Sequence, residues 1–266
     1  MTVHDRRDKT LRCLACLYAC RLPDGISLDV WMTDDGSADG TSAAVKDSFP
    51  DVRIIEGDGN LFWCRGMAKA WRAAAAGDYD KYLWLNDDTY LYQDALETLL
   101  STADSSSDII VGPVCSAVSG LMTYGGVEND RPVPMNGEAR RVRSFNGNVV
   151  LVPRQAFRKA GFLDERFSHA LGDIDYSLTA GEKGIVSVQA GAFVGTCEKH
   201  DRPPVWCDPS QPLGKRWKAL RTPLGCNPEE YAYFDRKHKG VCIAFFHWCS
   251  INLRAIFPSL WKRKLS

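Results

Sequence analysis

Along the first hundred or so residues, short continuous apolar runs alternate with longer stretches whose apolar positions recur every three to four residues. Residues 27–32, 52–55, 82–85 and 109–114 read as strands, and residues 9–20, 40–49, 66–76 and 94–100 as the helices between them. This is the βαβ rhythm of a parallel sheet covered on both faces. After Pro113, Gly, Pro and Asn punctuate shorter segments, the grammar of mixed strands and loops over a sheet's ligand edge. The chain opens oddly, because Thr2 and Val3 lead almost at once into the first helix and leave less room than the roughly five residues of a typical strand. The expectation is a clipped first strand and a true translation start lying upstream, since losing a central strand exposes unpaired backbone.

The run Tyr82-Leu83-Trp84-Leu85 ends abruptly in Asn86-Asp87-Asp88-Thr89. Ligands of open α/β sheets gather at the carboxyl ends of strands. Adjacent carboxylates repel unless a cation or donor relieves them, and a hard divalent ion bridging to a diphosphate does so with oxygen ligands alone. A metal-nucleotide site and a solvated turn closed by Asn and Asp onto their own backbone both suit this segment. A second acidic cluster, Thr33-Asp34-Asp35-Gly36-Ser37-Ala38-Asp39-Gly40-Thr41, follows the second strand. Its glycines permit a tight turn and its Ser and Asp residues cap the next helix. Capping leaves unexplained a carboxylate at the strand end, beside the other acid pair.

Composition changes this picture little. The chain has 266 residues, 45% hydrophobic and 25% charged, which suits a folded enzyme and excludes disorder as the default. Lys plus Arg and Asp plus Glu balance at 33 each, so no overall field favours nucleic acid or membrane. Of the ten cysteines, Cys13, Cys16 and Cys20 fall at the spacing of one helix face, Cys197 and Cys207 lack a Cys-x-x-Cys partner, and the rest are scattered, which argues against structural zinc. The thiols read as reduced and the compartment as cytoplasm, at most at the inner face of the plasma membrane.

The order of the Asp-Asp-Gly-Ser turn, then Gly59-Asn60-Leu61-Phe62-Trp63, then Trp84-Leu85-Asn86-Asp87-Asp88-Thr89, resembles glycosyltransferase family 2 of the GT-A type. Ser144-Phe145-Asn146-Gly147-Asn148-Val149 resembles that family's acceptor-side strand, and Leu171-Gly172-Asp173-Ile174-Asp175 its segment carrying the catalytic base. The resemblance implies an α/β GT-A fold, a mostly parallel central sheet flanked by helices with a C-terminal helical extension. It places a glycosyltransferase domain over residues 1–195, with a nucleotide-binding half over about 1–113 and an acceptor half over about 114–195. Residues 196–266 form the C-terminal loop and helical extension. It further implies that Thr2 and Asp34 contact the nucleotide, that Asp88 binds Mg²⁺ or Mn²⁺ and Asp87 the ribose or metal, and that Arg65 faces the diphosphate. Asp173 becomes the base, with Asp175 set to bind acceptor or support the loop. As a residue at a helix start, Asp173 also reads as a cap. Asn86 and Gly172 depart from the family pattern, each standing where a carboxylate is usual. His200 is a candidate extra metal ligand, and Trp206, Lys215, Arg216 and Trp217 are candidates for the cleft wall.

The tail, Gly240 to Cys249, is strongly apolar, but Asn252 and Arg254 interrupt it short of the about 20 residues a spanning helix needs. An interfacial helix and a helix packed on the protein or on a second copy both fit it. The favoured function is an inverting, metal-dependent transfer of sugar from a nucleoside-diphosphate donor to a glycan or lipid-linked acceptor in bacterial polysaccharide synthesis. A nucleotidyltransferase is the rival enzyme, wanting a basic Gly-rich phosphate loop that is not visible. A sugar-binding homologue without turnover is the rival that Asn86 and Gly172 suggest.

Overall fold

The computed structural model describes residues 1–102, 107–199 and 204–260, in two units: Met1–Glu165 with Gly172–Lys199, and Arg166–Leu171 with His200–Ser266. In the first unit, the clipped strand exists. Thr2–Val3 pairs in parallel with Thr33 and Asp34 of the strand Trp31–Asp34, which pairs in parallel with Arg53–Glu56. The helix Arg7–Tyr18 follows immediately and buries Cys13, Leu14 and Leu17 against this sheet's core. Cys20 is also buried, two residues beyond that helix, whereas Cys16 is half-buried.

The strand Lys81–Leu85 runs antiparallel to Val149–Pro153. Its neighbour Val149–Pro153 is antiparallel to Ile109–Val111, which lies parallel to Ser187–Gln189, and Arg140–Val142 closes the order antiparallel. The first three strands thus pair in parallel throughout, whereas this second sheet is mixed. The apolar run at 82–85 read as a parallel strand because burial on both faces demands such a run whatever direction the neighbour takes.

The helix Phe62–Ala75 packs on the sheet through Cys64, Met67, Ala68 and Trp71, all buried. Gly66 permits the close approach, since a Cβ there would lie 2.2 Å from Thr2 Oγ1. Trp71 meets Trp84, Phe157, Phe162 and Tyr176 at ring-centroid separations of 5.1 to 5.5 Å. Tilted and edge-on pairs of this kind add about 0.5–1.5 kcal/mol each beyond burial. A cavity of about 420 Å³ opens beside Gly77 to Leu85, walled largely by apolar residues such as Leu28, Val30, Trp71 and Leu99. Asn86, Asp87 and Asp88 do not line it.

In the second unit, helices Pro228–His238 and Val241–Ile256 form a hairpin turned at Gly240, whose φ is +94°. Asn227 caps the first helix by accepting from Glu229 N at 3.0 Å, with Pro228 at the first position. Fully buried Asp235 binds Lys239 Nζ at 2.9 Å and His247 Nδ1 at 2.5 Å. Arg216 donates to the carbonyls of Ala255 and Ile256 at 3.1 and 3.3 Å, which satisfies the last turn of the second helix. Trp206 packs on the Leu220, Cys226, Ile251 and Ala255 core, and Trp217 lies under Arg221. The expected cleft-wall residues Trp206, Arg216 and Trp217 thus act inside this unit, where its apolar core and helix end need them. Among the described residues, no helix is long and apolar enough to cross a membrane.

Candidate active site

The acid pair stands at the carboxyl end of Lys81–Leu85. Asp87 is 6% exposed, and the Asp88 side chain 11%. Arg6 Nη1 donates to Asp87 Oδ1 at 3.0 Å and to Asp88 Oδ2 at 2.8 Å, so both carboxylates converge on one cationic atom. Burial pushes the Asp87 carboxyl up to about 6, against the opposing pull of Arg6; the Asp88 charge adds to the rise. The other Asp88 oxygen accepts from Cys197 Sγ at 3.7 Å.

Asn86 is tied down on three sides. Its Oδ1 accepts from Trp63 Nε1 at 2.7 Å, its amide donates to Asn148 O at 3.0 Å, and its carbonyl accepts from Thr89 N at 3.1 Å. Trp63 also covers Gly147, where a Cβ would come within 2.4 Å of the indole ring. Gly147 N in turn donates to Asp173 Oδ2 at 2.8 Å, while Asp173 Oδ1 accepts from Ile174 N at 2.9 Å. The two-residue bridge Gly147-Asn148 therefore joins the acid turn to the start of helix Gly172–Glu182. Burial raises the Asp173 carboxyl, with the two backbone donors pulling it back. Gly172 is explained by space: a Cβ there would lie 2.4 Å from Cys64 Sγ. Residues held at strained φ precede both Trp63 and Gly172, namely Phe62 at +56° and Leu171 at +70°.

The other expected site residues sit further out. Asp34 accepts from Ser37 N at 2.9 Å and from Ser42 Oγ, which spends its carboxylate on the turn and helix that follow. Its neighbour Asp35 receives Gly59, Leu61 and Phe62 amides, each at 2.9 Å, and so fixes the loop that delivers Trp63. The Thr2 hydroxyl packs against Gly66. Arg65 donates to Glu165 O at 2.9 Å. Asp175 is buried at 2% exposure. His200 lies outside the described residues. Sequence reasoning missed Arg6, Trp63 as a link, and Asp35 as an anchor. The Asp5-Arg6-Arg7 run carries no periodicity, whereas the indole donor in the Gly59 to Trp63 motif was a usable signal.

These carboxylates suit a hard divalent cation, since a cationic atom already bridges them, but they are few. Among the described residues no cluster of three or more His, Cys, Asp or Glu side chains is arranged to hold a metal. Two carboxylates need further oxygen ligands, which a diphosphate and water supply.

A mixed α/β sheet with acids at one strand end and an acid-bearing helix beside it is the arrangement that a GT-A type fold would present. The family model for glycosyl transferase family 2 matches residues 1–167, and the chain belongs to that family of glycosyltransferases. Its fold is similar to S. aureus TarS 1-349 in complex with UDP-GlcNAc, with a TM-score of 0.58 and 13% identity, over 96% of this chain and 79% of that one. It is also similar to the mannosyltransferase PcManGT from Pyrobaculum calidifontis in complex with GDP-Man and Mn²⁺, with a TM-score of 0.55 and 16% identity, over 94% and 72%. GalNAc-T7 with UDP, GalNAc and Mn²⁺ matches at 0.55 and 13% identity, over 91% of this chain and 54% of that one. No curated protein sequence matches the chain.

Proposed function

We propose that this glycosyltransferase takes its sugar from a nucleoside-diphosphate donor with Mg²⁺ or Mn²⁺ and transfers it with inversion to a glycan or lipid-linked acceptor, in bacterial surface-polysaccharide synthesis. The observation that carries this reading is the convergence of Asp87 and Asp88 on one point at the strand end, a peptide bridge away from Asp173. The neighbours' nucleotide sugars and Mn²⁺ support it. When bound, the metal neutralises charge developing on the leaving diphosphate. Asp88, with Asp87 beside it, would hold that metal.

Asp173 would accept the proton of the attacking hydroxyl, a task for which its raised affinity for protons fits it better than an ordinary carboxylate. Trp63 and the Gly147-Asn148 bridge hold the metal side and the base side in fixed register, which is the orientation such a reaction needs. Attack from the face opposite the diphosphate inverts the sugar carbon. Asp34 and Thr2 remain candidates for the nucleotide and Arg65 for the diphosphate. The exposed apolar residues of the tail, with Arg236 and Lys239 beside them, support a peripheral contact with the membrane that would present a lipid-linked acceptor.

The test is a nucleotide-sugar panel scored for released nucleoside diphosphate with Mg²⁺ or Mn²⁺. Release is expected with at least one donor, falling roughly 10²-fold or more in Asp88→Asn. Pyrophosphate release instead would point to nucleotidyl transfer, and binding without release to a homologue that has lost turnover.

A further inference from the structure

Arg6 is not placed by chance. It precedes the helix Arg7–Tyr18, and its carbonyl accepts from Thr10 N at 2.9 Å. Both flanking residues are stapled to the second acidic loop: Asp5 N donates to Ser37 Oγ at 3.0 Å, Asp5 Oδ1 accepts from Ala38 N at 2.7 Å, and Arg7 N donates to Asp39 Oδ2 at 2.9 Å. The loop thus fixes the backbone from which the guanidinium reaches the acid pair. The side chain remains 37% exposed, with room to leave.

The point bridged by Nη1 is the point where a divalent ion between these carboxylates would sit. Magnesium binds oxygen at about 2.0–2.1 Å, so an ion seated between Asp87 Oδ1 and Asp88 Oδ2 excludes a nitrogen already 3.0 and 2.8 Å from them. Two cations cannot share that place. A diphosphate changes the balance, because its oxygens both complete the metal's shell and offer the guanidinium fork a partner of matching geometry. Resting on the metal reading above, we infer that Arg6 is an internal competitor of the metal: it holds Asp87 and Asp88 together before the donor binds. It thereby makes divalent-ion binding depend on the diphosphate arriving with it. Coupling of this kind is reciprocal, so metal and nucleotide each raise the other's affinity.

The test is Mn²⁺ binding to the full chain, followed by the electron paramagnetic resonance signal of free Mn²⁺, for wild type, Arg6→Gln and Asp88→Asn. Each is measured alone and with UDP or GDP. Wild type should bind Mn²⁺ weakly alone and more tightly with the nucleotide. Arg6→Gln should bind Mn²⁺ alone about tenfold or more tightly than wild type, because a positive charge within a few ångströms is gone. Thermal unfolding gives a second readout, in which Mn²⁺ alone raises the Tm of Arg6→Gln and leaves wild type unmoved. Equal or weaker Mn²⁺ binding by Arg6→Gln overturns the inference. If that variant fails to fold, Arg6→Met, which also removes the charge while keeping an unbranched side chain, is read by the same rule. Nucleotide-dependent Mn²⁺ binding that is lost in Asp88→Asn but unchanged in Arg6→Gln removes the role of Arg6 and leaves the metal reading standing. Absence of Mn²⁺ binding from every protein, with or without nucleotide, removes both.

Discussion

Asp173 holds two backbone amides, from Gly147 and Ile174, and keeps lone pairs for an acceptor proton. Burial lifts its affinity for protons, so the acid limb of the kcat/KM profile should fall at a pH above the 3.9 of an ordinary Asp. Asp173→Asn should bind donor normally, in a nucleotide thermal-shift measurement, while transfer drops by about 10²–10⁴-fold. Near-normal turnover in that variant would exclude it as the base. The sign of the stability effect is also fixed. A carboxyl whose folded pKa is raised contributes fully at acid pH and loses that contribution as pH climbs through the raised value. Asp173→Asn should therefore compare better with wild type at pH 8 than at pH 4 in denaturant unfolding.

At the scale of elements, the helix Gly172–Glu182 reaches its place because nothing projects from Gly172 toward helix Phe62–Ala75. Gly172→Ala puts a methyl 2.4 Å from Cys64 Sγ and 3.0 Å from its Cβ. A cost of about 1–3 kcal/mol follows from such overpacking, measurable by urea unfolding, and Gly172→Ala with Cys64→Ala should recover part of it. No loss in the single variant would contradict the contact. The family departure at Gly172 thus has a packing cause. The departure at Asn86 has a different one, for its side-chain oxygen serves the Trp63 indole, a bond an Asp would also accept while adding charge. Such element pairings were partly legible: the alternation of runs and periodic stretches located the strands and helices of the first hundred residues within a few positions. Strand direction was not, because the Lys81–Leu85 pattern is blind to what its partner does.

For the whole molecule, charge balance conceals an uneven distribution. From residue 200 onward Lys and Arg outnumber Asp and Glu by 12 to 5. The hairpin turn from Arg236 to Phe246 holds Arg236, Lys237 and Lys239 with no acidic residue, and Val241, Phe245 and Phe246 there are 68%, 62% and 71% exposed. The last helix has two unlike sides: Ala244, Ile251 and Ala255 are buried, while Phe245, Phe246, Leu253 and, just past its end, Phe257 are exposed. The protein should float with vesicles containing anionic lipid and lose most of that binding in Phe245→Ser with Phe246→Ser; equal flotation would exclude this face as the contact. The sequence by itself determined the family, the βα rhythm, the acid pair at a strand end and the segment bearing Asp173, because periodicity and motif order are local properties of a chain. Only the tertiary structure decided that Arg6 bridges Asp87 and Asp88, that Trp63 and Gly147 join them to Asp173, and that Asp34 is engaged by its own turn. Apart from the local donors of Asp34, those partners lie tens of residues apart, and which carboxylate meets which donor depends on distances that no local pattern encodes.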